Sequence, residues 1–173
     1  MSRGRSEVEN VAVTSNTTTS QQRPGEIAIE LPATTDAGVH FIGRIRTPFA
    51  TLKDCPKNVR EGAAEATVEL DPRYAAGLAG IERCSHLILL YWLDESRRDL
   101  VVQSPRHADQ PRGVFSLRSP VRPNPIGLAV VELLAVTGMT LRVRNLDCRD
   151  RTPLIDIKPY FASIDSVPHA RRP

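Results

Sequence analysis

The segment from residue 118 to residue 128, RSPVRPNPIGL, has the residue types of a preorganised binding loop. It contains three prolines within six residues, and proline fixes φ and removes an amide donor, so we expect a rigid loop. Three polar side chains on this loop could bind a ligand at little cost in backbone entropy: Arg118, Arg122 and Asn124. The alternative interpretation is a proline-rich barrel corner with solvated arginines.

Two further groups of polar residues lie beside apolar runs. Asp94 and Glu95 end the run HLILLYWL and could hold a cationic ligand or ribose hydroxyls, although acidic residues also form turns. Asp156 and Lys158 are two residues apart and therefore share one face of a predicted strand. They could orient a polar ligand or form a surface ion pair worth less than about 1 kcal/mol. His86 is more typical of a hydrogen-bonded structural histidine than of a catalyst.

Several classes of function have no support in the sequence. There is no GxGxxG after a predicted strand, no GxxxxGK[ST], no GxSxG and no HExxH. Cys55, Cys84 and Cys148 are far apart, without a CxxC pair or a histidine at ligand spacing, so we predict reduced thiols and no metal site. No apolar stretch approaches the roughly 18 residues of a membrane helix, and the N-terminus lacks the apolar segment of a signal peptide. We therefore expect a soluble, cytoplasmic protein.

The positive charge is concentrated in one region. The chain carries 23 basic and 20 acidic residues, and 20 of the basic residues are arginine. Residues 97 to 151 hold ten arginines and five acidic residues, a balance of +5, which leaves −2 elsewhere. Arginine suits phosphate and carboxylate contacts and stacking on bases. A genome of high GC content, which favours arginine codons, is the alternative explanation.

Hydrophobic patterning predicts an all-β domain preceded by a flexible tail over residues 1–36. Short apolar runs separated by Gly, Pro, Asp and Asn predict strands at about 39–46, 65–70, 86–93, 113–118, 127–136, 139–146 and 154–157. Residues 27–31 could form a short edge strand, and Asp71-Pro72 begins one short helix that ends near Gly80. The spacing leaves no room for βαβ units, so we predict an antiparallel β-barrel of about seven strands over residues 37–170.

The order of these motifs resembles one known family. IGRIRTPF, CPKN, GIERCSHLILLYW, GVFSLRSPVRPNPIGL and LDCRDRTPLIDIKPY, between Val39 and Pro168, are similar to the TrmO-type (TsaA-like or YaeB-like) family. RPNPIGL together with DIKPY is highly specific. The resemblance implies an antiparallel β-barrel that forms homodimers, with the site close to the subunit interface. It also implies S-adenosylmethionine-dependent methylation of N6 of threonylcarbamoyladenosine at position 37 of tRNA, beside the anticodon.

The family's cofactor-binding segments can be carried over onto this sequence. They correspond to Pro56, Lys57, Asn58, Asp94, Glu95, Arg118, Leu128, Asn145, Leu146 and Asp147. Two departures are visible. Arg151 occupies a turn position where relatives usually have glycine, and the chain resembles a short form without the C-terminal domain of longer members.

The remaining roles are hypotheses about chemistry. Acidic side chains can steady a sulfonium, which suits Asp94, Glu95 and Asp147. Asp156 is the candidate proton acceptor, ordered by Lys158 and Tyr160, while Arg122 and Asn124 are expected to contact the tRNA anticodon loop. Two alternatives remain open: a methyltransferase for another RNA or a small molecule, and a non-catalytic S-adenosylmethionine-binding regulator.

Overall fold

Strands dominate the computed structural model, which describes residues 22–57, 64–106 and 109–171. In these residues there are nine strands: β1 (Ile27–Ala28), β2 (Gly43–Arg46), β3 (Glu65–Leu70), β4 (His86–Trp92), β5 (Leu100–Gln103), β6 (Arg112–Gly113), β7 (Ile126–Thr137), β8 (Thr140–Arg144) and β9 (Thr152–Pro159). Three 3₁₀ helices cover Pro72–Leu78, Ile81–Arg83 and Val114–Ser116, and one short α-helix, α1, covers Ala162–Asp165.

Six of the strands close into an antiparallel barrel in the order β2-β3-β8-β7-β4-β9. The barrel closes where β2 pairs with β9, so that Gly43 lies opposite Leu154 and Ile45 opposite Thr152. Closure removes the free sheet edges that would otherwise invite aggregation. The predicted all-β barrel is therefore confirmed, with six strands in the barrel rather than seven.

Alternating residues of the six strands fill the barrel. In β4 the pattern of exposure alternates strictly, with Leu87, Leu89 and Tyr91 buried. The core is aliphatic, and its fully buried members include Ile45, Val68, Leu87, Leu89, Val131, Leu141, Val143, Leu146 and Leu154. Period-two burial is what the sequence pattern predicts for strands with one buried face. Burial of these side chains supplies the main stabilisation of the barrel.

A three-stranded sheet, β1-β5-β6, lies outside the barrel. It includes residues that the sequence analysis assigned to the tail: Ile27 pairs with Val102, and Ile29 N donates to Asp99 O. Glu26 anchors this segment, because its buried carboxylate accepts hydrogen bonds from Arg23 and from Ser104 N. Residues 22–29 are thus bonded to β5 and its neighbours.

Several predicted elements differ from the structure, among them β2, which begins at Gly43 rather than near residue 39. The strand predicted at 113–118 is absent: Gly113 ends β6, Val114–Ser116 form a 3₁₀ turn, and Arg122 binds the carbonyl oxygens of Val114 and Leu117. The hairpin between β7 and β8 turns at Gly138 and Met139, one residue later than predicted, with Gly138 at φ 57°. The predicted helix exists as the 3₁₀ helix at Pro72–Leu78, and Asp71 caps it by accepting from Arg73 N.

No helix among the described residues is long and apolar enough to cross a membrane.

Candidate active site

The strand directions bring four loop segments to one end of the barrel: the β2–β3 loop, the β8–β9 loop, the segment after β4 and the segment before β7. β2, β4 and β8 end there, and β7 and β9 begin there. We call this the Trp92 end, after the last residue of β4, and the opposite end the His86 end. Almost all the predicted cofactor-binding residues lie in the loops of the Trp92 end or next to them, on segments far apart in sequence. The exception, Asn58, lies outside the described residues.

A hydrogen bond between Tyr91 and Asp147 is central to this end. The Tyr91 hydroxyl donates to Asp147 Oδ1 over 2.9 Å, from the inside of β4 to the loop after β8. Burial raises the pKa of the Tyr91 phenol, and the Asp147 carboxylate raises it further, so the phenol remains a donor. Asp147 is half-buried and forms no ion pair with any residue that the structure describes. Its charge is therefore available to a ligand.

The position of the Tyr91 ring depends on a glycine. Gly127 pairs with Tyr91 across β4 and β7, and a Cβ atom at residue 127 would lie 2.1 Å from the ring. The aromatic ring occupies the volume of the missing side chain. Gly127, from the RPNPIGL motif, is thus what allows Tyr91 to reach Asp147.

The next contacts join the loop before β7 and the loop after β4 to this centre. Arg118 Nη2 donates to the carbonyl oxygen of Leu128 over 2.9 Å. Glu95 forms an ion pair of 2.6 Å with Arg149, two residues after Asp147. Asp94 is exposed and has no basic partner within the described ranges. The loop after β2 carries Cys55, next to Pro56. Burial raises the pKa of the Cys55 thiol, and the Asp147 carboxylate raises it further.

Backbone conformation is unusual in two of these loops. Asn145 and Arg151 adopt positive φ, 77° and 68°, the left-handed region that most side chains avoid. Asparagine tolerates this conformation, whereas arginine does not favour it. The turn at residue 151 therefore needs the geometry that a glycine would supply. Arg151 is held there by its amide, which donates to Ile45 O, and by its carbonyl, which accepts from Arg44.

The other predicted residues have different surroundings. Leu146 is buried in the core, so only its backbone can face a ligand, while Pro56 is half-buried and Lys57 is exposed. Arg122 directs its guanidinium at three backbone carbonyls, those of Val114, Leu117 and Ser119, and so holds the rigid loop together. Asn124 is exposed on the same loop. The phosphate contact expected of Arg122 stays a prediction, and the structure gives this residue a structural role.

The three residues predicted to be catalytic lie on or beside the outside of β9. Asp156 pairs across the sheet with Leu90, which pairs in turn with Leu128, so these three share one outer row of the barrel. The Asp156 carboxylate contacts Lys158 Nζ at 2.7 Å and accepts from its own neighbour, Ile157 N. Tyr160 lies nearer the His86 end, with its ring centroid 6.3 Å from that of His86. The catalytic assignment stays a prediction.

Sequence reasoning missed two residues of this site. Tyr91 lies on the buried face of an apolar strand, and Arg149 lies within the segment LDCRDRTPLIDIKPY but was assigned no role. A signal for Tyr91 exists in retrospect, because a hydroxyl on an otherwise aliphatic strand face must find a partner when it is buried. Arg149 gave no such signal. The residues within the described ranges include no group of His, Cys, Asp and Glu able to hold a metal ion.

Comparison with known proteins identifies the family of this chain. Residues 44–166 match the family described as tRNA-methyltransferase O N-terminal domain. A probable S-adenosyl-L-methionine-binding protein, VirR of Rhizobium radiobacter, is 47% identical over 137 residues, which cover 79% of this chain and 78% of VirR. The tRNA (adenine(37)-N6)-methyltransferase of Escherichia coli K12 is 34% identical, over 75% of this chain and 60% of the enzyme.

Solved structures show the same fold. The crystal structure of TrmO from P. aeruginosa superposes with a TM-score of 0.68 at 33% identity, covering 83% of this chain. The matched part is 63% of the length of that TrmO chain, so this protein corresponds to somewhat less than two thirds of it. Family match, sequence identity and fold agree, and the chain belongs to the tRNA-methyltransferase O N-terminal domain family.

Proposed function

We propose that this protein is an S-adenosylmethionine-dependent methyltransferase that acts on N6 of threonylcarbamoyladenosine at position 37 of tRNA. Its family is named for tRNA methylation, and the Escherichia coli relative is named as an adenine-37 N6-methyltransferase. The relatives with 45–47% identity are named as S-adenosyl-L-methionine-binding proteins or probable ones. The observation that carries the proposal is the convergence of Asp94, Arg118, Leu128 and Asp147 on the Trp92 end and its flank.

The residues at this end fit the cofactor chemically. S-adenosylmethionine supplies an electrophilic methyl group on a positively charged sulfur. Asp94 and Asp147 offer carboxylates that have no basic partner in the described part of the chain, and carboxylates stabilise a nearby cation. Arg118 likewise lacks an acidic partner there and can bind a carboxylate. Leu128 is 45% exposed beside it and offers an apolar surface for a ring.

The chain's own contribution is positioning. The Leu128 carbonyl orients Arg118, and the Tyr91 hydroxyl orients Asp147. Glu95 orients Arg149 through their ion pair. Each of these groups is fixed by a second group before any ligand arrives, which reduces the entropy lost on binding. The backbone carrying Arg118 is stiffened further by Arg122.

Asp156 is proposed as the acceptor of the proton from the target nitrogen. It lies two strands from Leu128 on the outer face of the sheet, with only Leu90 between them. Lys158 Nζ contacts the carboxylate at 2.7 Å and orients it. We expect Asp156→Asn to lower turnover about 100-fold or more while cofactor affinity stays close to that of the wild type.

The matched control is Glu82→Gln, which changes an exposed carboxylate paired only with Arg83. Turnover is measured as transfer of labelled methyl groups to tRNA lacking the modification. Full turnover in Asp156→Asn, with normal cofactor binding, would reject the catalytic role.

The outer face around Leu128 is also where we propose that two copies meet as a homodimer. Ile126 and Leu128 are each 45% exposed, and Trp92 and Leu90 continue the apolar row. Apolar patches of this kind mark interaction sites. A second copy seated there would cover the cofactor beside Leu128 and exclude water from Asp156. In analytical ultracentrifugation we expect the wild-type protein to sediment as a dimer and Ile126→Glu as a monomer. An Ile126→Glu protein that remains a dimer would place the interface elsewhere.

A second candidate function is supported by one observation. The Asp156 carboxylate, the candidate proton acceptor, is already occupied by Lys158 and by Ile157 N. A cofactor-binding protein without turnover would show the same geometry. Methyl transfer to a different RNA or to a small molecule is the other alternative.

Two measurements separate these functions. Calorimetry with S-adenosylmethionine tests binding, and mass spectrometry of tRNA nucleosides from a strain lacking this protein tests the substrate. We expect binding, together with loss of N6-methylated threonylcarbamoyladenosine from the deletion strain. Binding with an unchanged nucleoside profile would reject the tRNA substrate, and a tRNA-modifying role would place the protein in the cytoplasm.

A further inference from the structure

Phe115 is the most exposed large apolar residue among those the structure describes. Its side chain is 83% exposed, although the residue before it, Val114, is fully buried. Phe115 belongs to the 3₁₀ turn Val114–Ser116. Nothing in the proposed cofactor site uses it.

The backbone that carries Phe115 is held firmly. Leu117 N donates to Val114 O, and the Ser116 hydroxyl donates to Gly113 O over 2.8 Å. Arg122 binds the Val114 and Leu117 carbonyls from the other side. Exposure of this aromatic ring to water does not stabilise the fold. An exposed apolar side chain on a rigid turn is typical of a recognition residue.

The surroundings of Phe115 are basic. Arg112 and Arg118 stand three residues before and after it, so each Cα lies within about 10 Å of the Phe115 Cα. Neither guanidinium has an acidic partner among the residues described in the structure. Arg118 also contacts Leu128, which joins this turn to the cofactor side of the barrel.

We propose that Phe115 is a stacking platform for an unpaired base of the RNA acceptor, next to the methyl-transfer site, an inference that rests on the proposed function. Aromatic rings flanked by cations are how proteins bind single-stranded loops, since every base has a face to stack and every nucleotide a phosphate. Arg112 contacts the adjoining phosphate. The platform would hold the anticodon loop while the target base enters the site.

A second copy of the chain is the competing occupant, and charge argues against it. A symmetric contact through this turn would bring Arg112 and Arg118 of one copy towards the same residues of the other. Like charges across an interface oppose association, whereas RNA phosphates neutralise them.

The test uses Phe115→Ala and Phe115→Trp in the full chain, with an anticodon stem-loop RNA carrying threonylcarbamoyladenosine as the probe. Loss of one stacked base is expected to weaken RNA binding by about 5- to 100-fold in Phe115→Ala. Affinity is expected to be retained in Phe115→Trp, and emission of the added indole to be quenched on RNA binding. Affinity for S-adenosylmethionine should be unchanged in both.

The matched control is Ile164→Ala, which removes an equally prominent apolar side chain, 74% exposed, from α1. Normal RNA affinity in Phe115→Ala would overturn the platform. So would a shift of Phe115→Ala towards monomer, since it would show that the ring is a subunit contact. Failure of the wild-type protein to bind this RNA, with cofactor binding intact, would reject the RNA substrate itself and the platform with it.

Discussion

The Trp92 end and the outer face of β9 both carry acidic residues, but they use them differently. At the Trp92 end, Asp147 is half-buried and bound by an uncharged donor, Tyr91. On β9, Asp156 is paired with Lys158 and with a backbone amide. The first carboxylate has no basic partner in the described residues and can face a cationic ligand, whereas the second already contacts a cation. We therefore expect binding and proton transfer to be separate tasks, performed on separate surfaces of the barrel.

Among the changes in binding and stability, the largest expected effect is on cofactor affinity. Asp147→Asn keeps the shape of the side chain but removes its charge, so we expect binding of S-adenosylmethionine to weaken about 10- to 100-fold. Asp156→Asn should change this affinity little. Isothermal calorimetry on both variants measures the contrast. Equal losses in the two would mean that both carboxylates contact the cofactor, and the separation of tasks would be wrong.

The next prediction concerns the packing that supports Asp147. Gly127→Ala places a methyl group against the buried Tyr91 ring, and overpacking of this kind costs about 1–3 kcal/mol of unfolding free energy. Gly77→Ala is the control, since a Cβ there meets no atom within 4 Å. Urea unfolding gives the stability. A Gly127→Ala protein of wild-type stability would show that Tyr91 can move aside, and with it the anchor of Asp147.

A smaller change in the free energy of unfolding, an increase rather than a decrease, is expected for a substitution of Arg151. Arg151→Gly relieves a left-handed backbone conformation and should stabilise the protein by about 0.5–1 kcal/mol. The two backbone hydrogen bonds of residue 151 do not depend on its side chain. Asn145→Gly, at the other left-handed position, should gain less, because asparagine tolerates that region. A destabilised Arg151→Gly protein would reveal a contribution of the arginine side chain.

The smallest expected effect is a pH dependence of the free energy of unfolding, caused by Asp150 in the loop before β9. Burial raises the pKa of Asp150, but hydrogen bonds from Arg46 and from Thr47 N outweigh it and hold the pKa below its usual 3.8. A lowered pKa in the folded state contributes stability above pH 3.8 that is lost as the pH falls through the folded-state value. The stability difference between wild type and Asp150→Asn, of about 1 kcal/mol or less, should therefore shrink in acid. A constant difference down to pH 2 would contradict this.

The sequence predicted the strands better than the contacts. Period-two alternation located β3, β4 and β8 within one or two residues, since burial on one face leaves a direct mark on residue type. The sequence did not predict β5, because its four residues are too few to show an alternating pattern of burial and lie next to charged residues. The bond between Tyr91 and Asp147 could not be predicted from local spacing, because it depends on how β4 and β8 are set by the strands between them.

Arginines were the hardest residues to interpret from sequence. Arg118 and Arg122 belong to one motif and have the same chemistry, yet one reaches a strand carbonyl beside the site and the other binds three carbonyls within its own loop. Which carbonyl oxygens each guanidinium binds depends on which of them lack other partners, and that is a property of the folded loop. The resemblance placed Arg151 where relatives usually have glycine, and the structure shows that the turn before β9 keeps a positive φ at this residue.

Closure of the barrel has a consequence for how the protein acquires its site. The strands that close it, β2 and β9, pair residues more than 100 positions apart in the chain, such as Gly43 with Leu154. Contacts of such long sequence separation form late, because the loop entropy must be overcome first. That closure completes the arrangement of the loops at the Trp92 end. Acquisition of ligand affinity during refolding should thus follow the final kinetic phase, and ligand binding would report when the barrel has shut.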